Sequence, residues 1–72
     1  MYNLELFAHR VKKLRRQKKL SQQELGEVLG INQGAISAIE SGRRTTTVEK
    51  LILLAKFFEV STDYLLGLKD EP

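Results

Sequence analysis

The chain is predicted to fold as an all-α domain of five short helices. Apolar residues recur at helical spacing, first in Leu4, Phe7, Ala8, Val11 and Leu14. The apolar–polar alternation that a half-buried strand needs is missing everywhere. Capping residues and glycine stops punctuate the chain at short intervals. Its 72 residues make one small domain, of a size that buries only about 60% of the surface its unfolded chain exposes.

The first helix is expected over roughly Asn3 to Lys18. Ser21 then stands three residues before Glu24, the spacing of a capping box, and starts helix two. Gly30 ends that helix, because glycine tolerates the left-handed conformation at a helix C-terminus. Asn32 is a good cap for helix three, which runs to about Ser41 with Gly42 as its stop. After the polar link Thr45–Thr47, helix four begins. The Thr46–Glu49 spacing favours Thr46 over Thr47 as its cap. Val48, Leu51, Ile52, Leu54, Ala55 and Phe58 make it apolar on most sides, so it is expected to be the most buried helix. Ser61 caps a short fifth helix, Thr62 to Leu66, stopped by Gly67. The division expected is one domain over residues 1–68 and a frayed polar tail over 69–72.

Helices two and three are separated by only about three residues centred on Gly30. Leu25, Leu29, Ile31, Ile36 and Ile39 fall on the inner side. Gln22, Gln23, Asn32, Gln33 and Ser37 fall on the outer side. Two helices joined so tightly cross steeply, and the second protrudes with its N-terminal end forward, a shape that fits a DNA major groove. Arg15 lies four residues beyond Val11, on the inner stripe of helix one. Glu40 lies four beyond Ile36, on the inner face of helix three. An inward arginine and an inward glutamate are costly unless they meet, so the spacing predicts an ion pair between them.

The order LSQQELGEVLG-IN-QGAISAIESGRR, followed by LILLAKFFEVSTDYLLG, resembles the phage-repressor type of helix-turn-helix domain, the Cro and CI-like (XRE) family. The likeness covers about residues 6 to 68. It implies a compact five-helix, lambda-repressor-like fold and a transcriptional regulator that occupies an operator. It also implies an ion pair equivalent to Arg15–Glu40. Two positions depart from the family pattern. Gly26 stands where alanine is usual, which by propensity softens helix two by roughly 1 kcal/mol. Thr46 replaces a frequent proline.

These readings nominate the interface. Gln33 opens helix three and can make paired hydrogen bonds to the edge of adenine; Gly34 permits close approach; Ser37 can bond a base or phosphate, and Ala38 can touch a thymine methyl. For phosphate, the candidates are Gln22 with the free N–H groups at the start of helix two, Gln23, Asn32, and Arg43 and Arg44 beside the end of helix three. Arg10 joins them from its family position. Arg10 to Lys19 holds seven basic residues in ten, spread around the helix, so Lys12, Lys13, Arg16 and Lys19 are expected to supply a general field. Leu53, Phe57, Leu66 and Leu68 exceed what so small a core hides and form a candidate dimer patch, which would double the base contacts on a palindromic site.

Composition narrows the remaining classes. Net charge is +3 and the isoelectric point is near 9.5, a balance suited to nucleic acid or another anionic surface. Cysteine is absent, which removes disulfides and cysteine-based zinc sites and fits a reducing, cytoplasmic setting. His9 is the only histidine, so no metal site is expected. No stretch is long and apolar enough to cross a membrane. No catalytic constellation, cofactor loop or small-molecule site is evident, and no enzyme activity is expected. The partners expected are double-stranded operator DNA and a second copy of the chain. Two rival classes stand beside this reading: a helical protein-interaction module of antitoxin or anti-repressor type, and a non-specific nucleic-acid binder.

Overall fold

Asn3 starts the first helix in the way its side chain allows. In the computed structural model, which describes residues 2–72, its Oδ1 accepts the Leu6 N–H at 3.0 Å, and α1 runs over Leu4–Gln17. Met1, the first residue of the domain expected over 1–68, lies outside the described residues. The Asn3 N–H donates to the Leu66 carbonyl at 2.9 Å, which ties the start of α1 to the end of the last helix. Lys19, at φ 58°, reverses the chain after α1.

The second helix, α2 (Gln22–Leu29), opens on a complete capping box. The Glu24 N–H donates to Ser21 Oγ at 3.0 Å, and the Ser21 N–H donates back to Glu24 Oε1 at 2.8 Å. Gly30 closes it in the left-handed conformation at φ 72°, where an L side chain would be strained. Asn32 Oδ1 accepts the Ala35 N–H at 2.8 Å and starts α3 (Gln33–Glu40). Thr47, not Thr46, caps α4 (Val48–Phe58): its hydroxyl accepts the Lys50 N–H at 3.2 Å. The correction follows from register, because a cap hydroxyl serves the N–H three residues on, and in the observed helix that residue is Lys50. Ser61 caps α5, which spans Thr62–Leu65 with Leu66 as its C-cap.

Among the described residues, all five helices contribute to one core. Phe7 and Val11 from α1, Leu25 and Leu29 from α2, Ile36 and Ile39 from α3, Leu54 and Phe58 from α4 and Leu65 from α5 are buried together. Each fully buried aliphatic or aromatic side chain contributes about 1.5–3 kcal/mol relative to exposure. Ile31 is only half-buried at the rim.

The expectation that helix four is the most buried is overturned. Its inner stripe of Leu54, Ala55 and Phe58 is buried, but Val48 is 73% exposed, Ile52 43% and Leu53 39%. The helix lies at the side of the domain and is covered on one face, so its apolar excess faces outward. The tail is not frayed either. The Ser61 N–H donates to the Pro72 carbonyl at 2.9 Å, and the Lys69 carbonyl accepts from Arg10 at 2.8 Å.

Candidate nucleic-acid interface

The turn between α2 and α3 is tight because Gly26 lets it be. The Ile31 N–H donates to the Gly26 carbonyl at 2.9 Å. A methyl group on Gly26 would stand 2.5 Å from the Ile31 carbonyl oxygen, a backbone atom that cannot swing aside. The substitution that sequence propensity marks as a softening of α2 is therefore what allows α3 to fold back so closely.

One polar network then ties α1 and α2 to the end of α3. Arg15 Nε donates to Glu40 Oε2 at 2.7 Å and Arg15 Nη2 to Glu40 Oε1 at 3.0 Å. Arg15 Nη1 caps the Leu20 carbonyl at 2.7 Å. The guanidinium side chain is 11% exposed and the carboxylate 3%. The hydrogen bond to Glu40 holds the Arg15 guanidinium above its ordinary value, against the opposing effect of burial. No buried side-chain polar atom among the described residues is left without a partner, which is the condition under which a buried pair holds a geometry rather than costing stability.

Gln22 joins this network, and here the structure departs from the sequence expectation. Its Nε2 donates to Glu40 Oε1 at 3.2 Å, so the side chain nominated for phosphate is engaged inward and half-buried. The reason is its place in the first turn of α2, directly over the end of α3. What remains outward at this point is backbone, since the first-turn N–H groups of a helix have no intrahelical acceptor.

The leading turn of α3 is open. Gln33 and Gly34 are exposed, and Ser37 and Ala38 are half-buried on the same outward side. Asn32 is exposed, with its Oδ1 committed to the cap. Gln23 is exposed beside it on α2. Beyond the far end of α3, Arg43 and Arg44 are both exposed. Arg43 Nε donates to Ser41 Oγ at 2.9 Å, and that hydroxyl donates to the Ala38 carbonyl at 3.1 Å. This relay anchors the guanidinium through one nitrogen and leaves its two terminal nitrogens available.

Arg10 is not at this surface. It is 8% exposed, and its guanidinium lies 4.0 Å over the Tyr64 ring. Its Nη1 donates to the carbonyls of Tyr64 and Lys69, and its Nη2 to Asp70 Oδ1 at 3.3 Å. Arg10 is a clasp between α1, α5 and the tail, so its assignment to phosphate is withdrawn. The signal was present in the chain: Arg10 stands three residues after Phe7 and four before Leu14, on the inner stripe, as Arg15 does.

The candidate dimer patch also divides. Leu66 lines a hollow of about 230 Å³ with Tyr2, Phe7, Val48 and Leu51. Phe57 lies edge-on to Phe58, with Lys18 Nζ 5.3 Å above its ring. At 100° per residue, Leu53 and Phe57 leave one flank of α4 and Val48 and Ile52 the other. Leu53 and Phe57 therefore lie on a different flank of α4 from the Val48 side, where Leu66 lines the hollow, and Leu68 is 48% exposed. Among the described residues no group of three or more His, Cys, Asp or Glu is placed to hold a metal ion, and no helix is long and apolar enough to cross a membrane.

Comparison with known proteins agrees with this arrangement. The sequence model of a helix-turn-helix family matches residues 11–65. The chain is 34% identical over 67 residues to the uncharacterized HTH-type transcriptional regulator YobD of Bacillus subtilis, spanning 93% of this chain and 60% of that protein's length. It is 37% identical over 70 residues to the control protein C.SmaI of Serratia marcescens, covering 93% of this chain and 83% of that one. Among solved structures, the P22 c2 repressor protein, crystallised in complex with a synthetic operator, superposes with a TM-score of 0.83 at 33% identity. That match covers 89% of this chain and 97% of the repressor chain. The chain belongs to the helix-turn-helix family, and its fold is that of the phage-repressor type.

Proposed function

We propose that this domain is a sequence-specific, double-stranded-DNA-binding transcriptional regulator that represses by occupying an operator. One observation carries the proposal. The leading turn of α3 is bare, with Gln33 exposed and Gly34 beside it, while its far end is fixed by the buried Arg15–Glu40 pair. A base-reading helix needs that combination of a free front and an immobile rear.

In this reading Gln33 reads a base edge in the major groove, with Ser37 and Ala38 behind it. Arg43 and Arg44 hold phosphates on one side. On the other side, the backbone N–H groups of Gln22 and Gln23 at the start of α2 meet phosphate, with Asn32 near the groove's edge. Phosphate contacts set register and the few base contacts select sequence. The P22 c2 repressor was crystallised in complex with a synthetic operator, which supports the same partner for this chain. Two copies on a palindrome would stand one DNA turn apart, roughly 34–36 Å, and the domain's extents of 28 × 23 × 20 Å leave room for both. The protein is assigned to the cytoplasm, where its proposed DNA target lies.

A salt-titrated gel shift with selected and random duplexes tests the proposal. Selected sites should bind roughly 10³-fold or more tighter than random ones. Equal affinity for both would make the domain a non-specific binder, and binding to neither would make it a protein-interaction module.

A further inference from the structure

The seven basic residues of Arg10 to Lys19 are sorted by the fold rather than pooled. Arg10 and Arg15 are buried and paired with Asp70 and Glu40, Lys18 lies over Phe57, and Lys19 is exposed at the chain reversal past the end of α1. Lys12, Lys13 and Arg16 are exposed on one face of α1 together with His9 and Gln17, around an open depression of about 460 Å³. None of the three has an ion-pair partner among the described residues. Glu5, one turn before His9, is the one acid that α1 places toward this face.

The position of this stripe separates it from the proposed reading surface. α1 packs on α3 through Val11 and Arg15, and the stripe occupies the opposite side of α1. The body of α1 therefore stands between the stripe and α3. We propose that the outer face of α1 is a second DNA-binding surface, which holds the phosphate backbone of a duplex segment other than the one α3 occupies. The proposal rests on the DNA-binding reading above and extends it from one duplex to two.

Chemistry selects the occupant. Apart from the His9 ring, no aromatic or aliphatic side chain lines the depression, so it lacks the apolar centre of a protein–protein interface. One histidine ring does not make the succession of aromatic platforms on which single-stranded nucleic acid stacks. The apolar face of α1 is buried in the core, so the helix has none left to insert into a lipid surface. What remains is a row of three cations about 6 Å long, from Lys12 to Arg16 at 1.5 Å per residue. Such a row fits a regular line of phosphates, which a duplex presents at one charge per about 1.7 Å of axis.

Energy transfer between two short random-sequence duplexes, one carrying a donor dye and the other an acceptor, tests the assignment. The wild-type protein should bring the two together and give sensitised emission. The K12Q/K13Q/R16Q variant should retain its melting temperature, since all three side chains are exposed. Its emission should fall about tenfold or more, as expected for losing three phosphate contacts, at concentrations that still shift a single duplex in a gel. Emission that survives in the variant overturns the proposal. Absence of emission from a wild-type protein that shifts a single duplex overturns it too, and leaves the repressor reading standing. Failure to shift any duplex, selected sites included, removes both.

Discussion

Arg15 and Glu40 meet through two nearly parallel hydrogen bonds of 2.7 and 3.0 Å, both side chains almost fully removed from water. They join the end of α1 to the end of α3, and Gln22 ties α2 to the same carboxylate. The angle of α3 is thus set by a charge pair as well as by the packing of Ile36 and Ile39.

Glu40→Ala should therefore destabilise the domain by about 3 kcal/mol or more, because it strands a buried guanidinium. Urea denaturation measures this directly. An unchanged midpoint would mean that the pair contributes nothing to holding α3. The Arg15 value is raised from one already far above neutrality. Its contribution is present below the unfolded value and lost only above the folded one, so this pair gives no pH dependence in the ordinary range on the arginine side.

Gly26→Ala separates propensity from packing. Helix propensity alone favours alanine by about 1 kcal/mol. The added methyl group, however, would stand 2.5 Å from the Ile31 carbonyl oxygen, and overpacking of this kind costs typically about 1–3 kcal/mol. The net expectation is a less stable protein. A variant more stable by the propensity increment would show that the α2–α3 turn is looser than described.

Arg10 and Asp70 should behave very unequally although they form an ion pair. Arg10 is buried, while the Asp70 side chain is 99% exposed. Asp70→Ala should change stability by no more than about 0.5 kcal/mol, as exposed pairs do. Arg10→Gln removes the donors to the Tyr64 and Lys69 carbonyls as well as the ring contact. It should cost about 1–3 kcal/mol and speed amide exchange between Tyr64 and Pro72. Equal effects of the two substitutions would contradict the clasp.

Glu24 gives the pH prediction. The Ser21 N–H, donating to its carboxylate, holds the group below its ordinary value of 4.5. A depressed carboxylate contributes stability that is present above the unfolded value and lost as pH falls through the folded one. Glu24→Gln should thus lessen the acid sensitivity of the thermal midpoint below about the ordinary value, and leave the curve near neutrality parallel to the wild type. A midpoint profile unchanged in acid would mean that the capping box does not titrate with folding.

The sequence was most legible where periodicity and capping chemistry act locally. Ser21–Glu24, Gly30 and Asn32 place α2 and α3 to within a residue, and the inner stripe of α1 places Arg15 opposite Glu40. It was least legible where a residue's fate depends on a distant segment. The spacing of Arg10 from Phe7 and Leu14 marks it as inward, but its partners Tyr64 and Lys69 lie more than fifty positions away and are not marked locally. Gln22 turns inward because the end of α3 lies beneath it. Gly26 reads as a weakness by propensity and as a necessity by packing. The apolar surplus of α4 reads as burial by composition, but only the neighbours present can bury it, and they cover one face.

The proposed division of labour between Gln33 and Arg43 admits the most direct test. Selection of bound sites from a random duplex pool should be run with the wild type, Gln33→Ala and Arg43→Ala. Gln33→Ala should relax preference at one position of each half-site by about 1–3 kcal/mol. Arg43→Ala should keep the selected sequence and reduce the slope of log affinity against log salt by about one unit. A selected sequence that is indifferent to Gln33 and altered by Arg43 would contradict the assignment of α3's leading turn as the reading element.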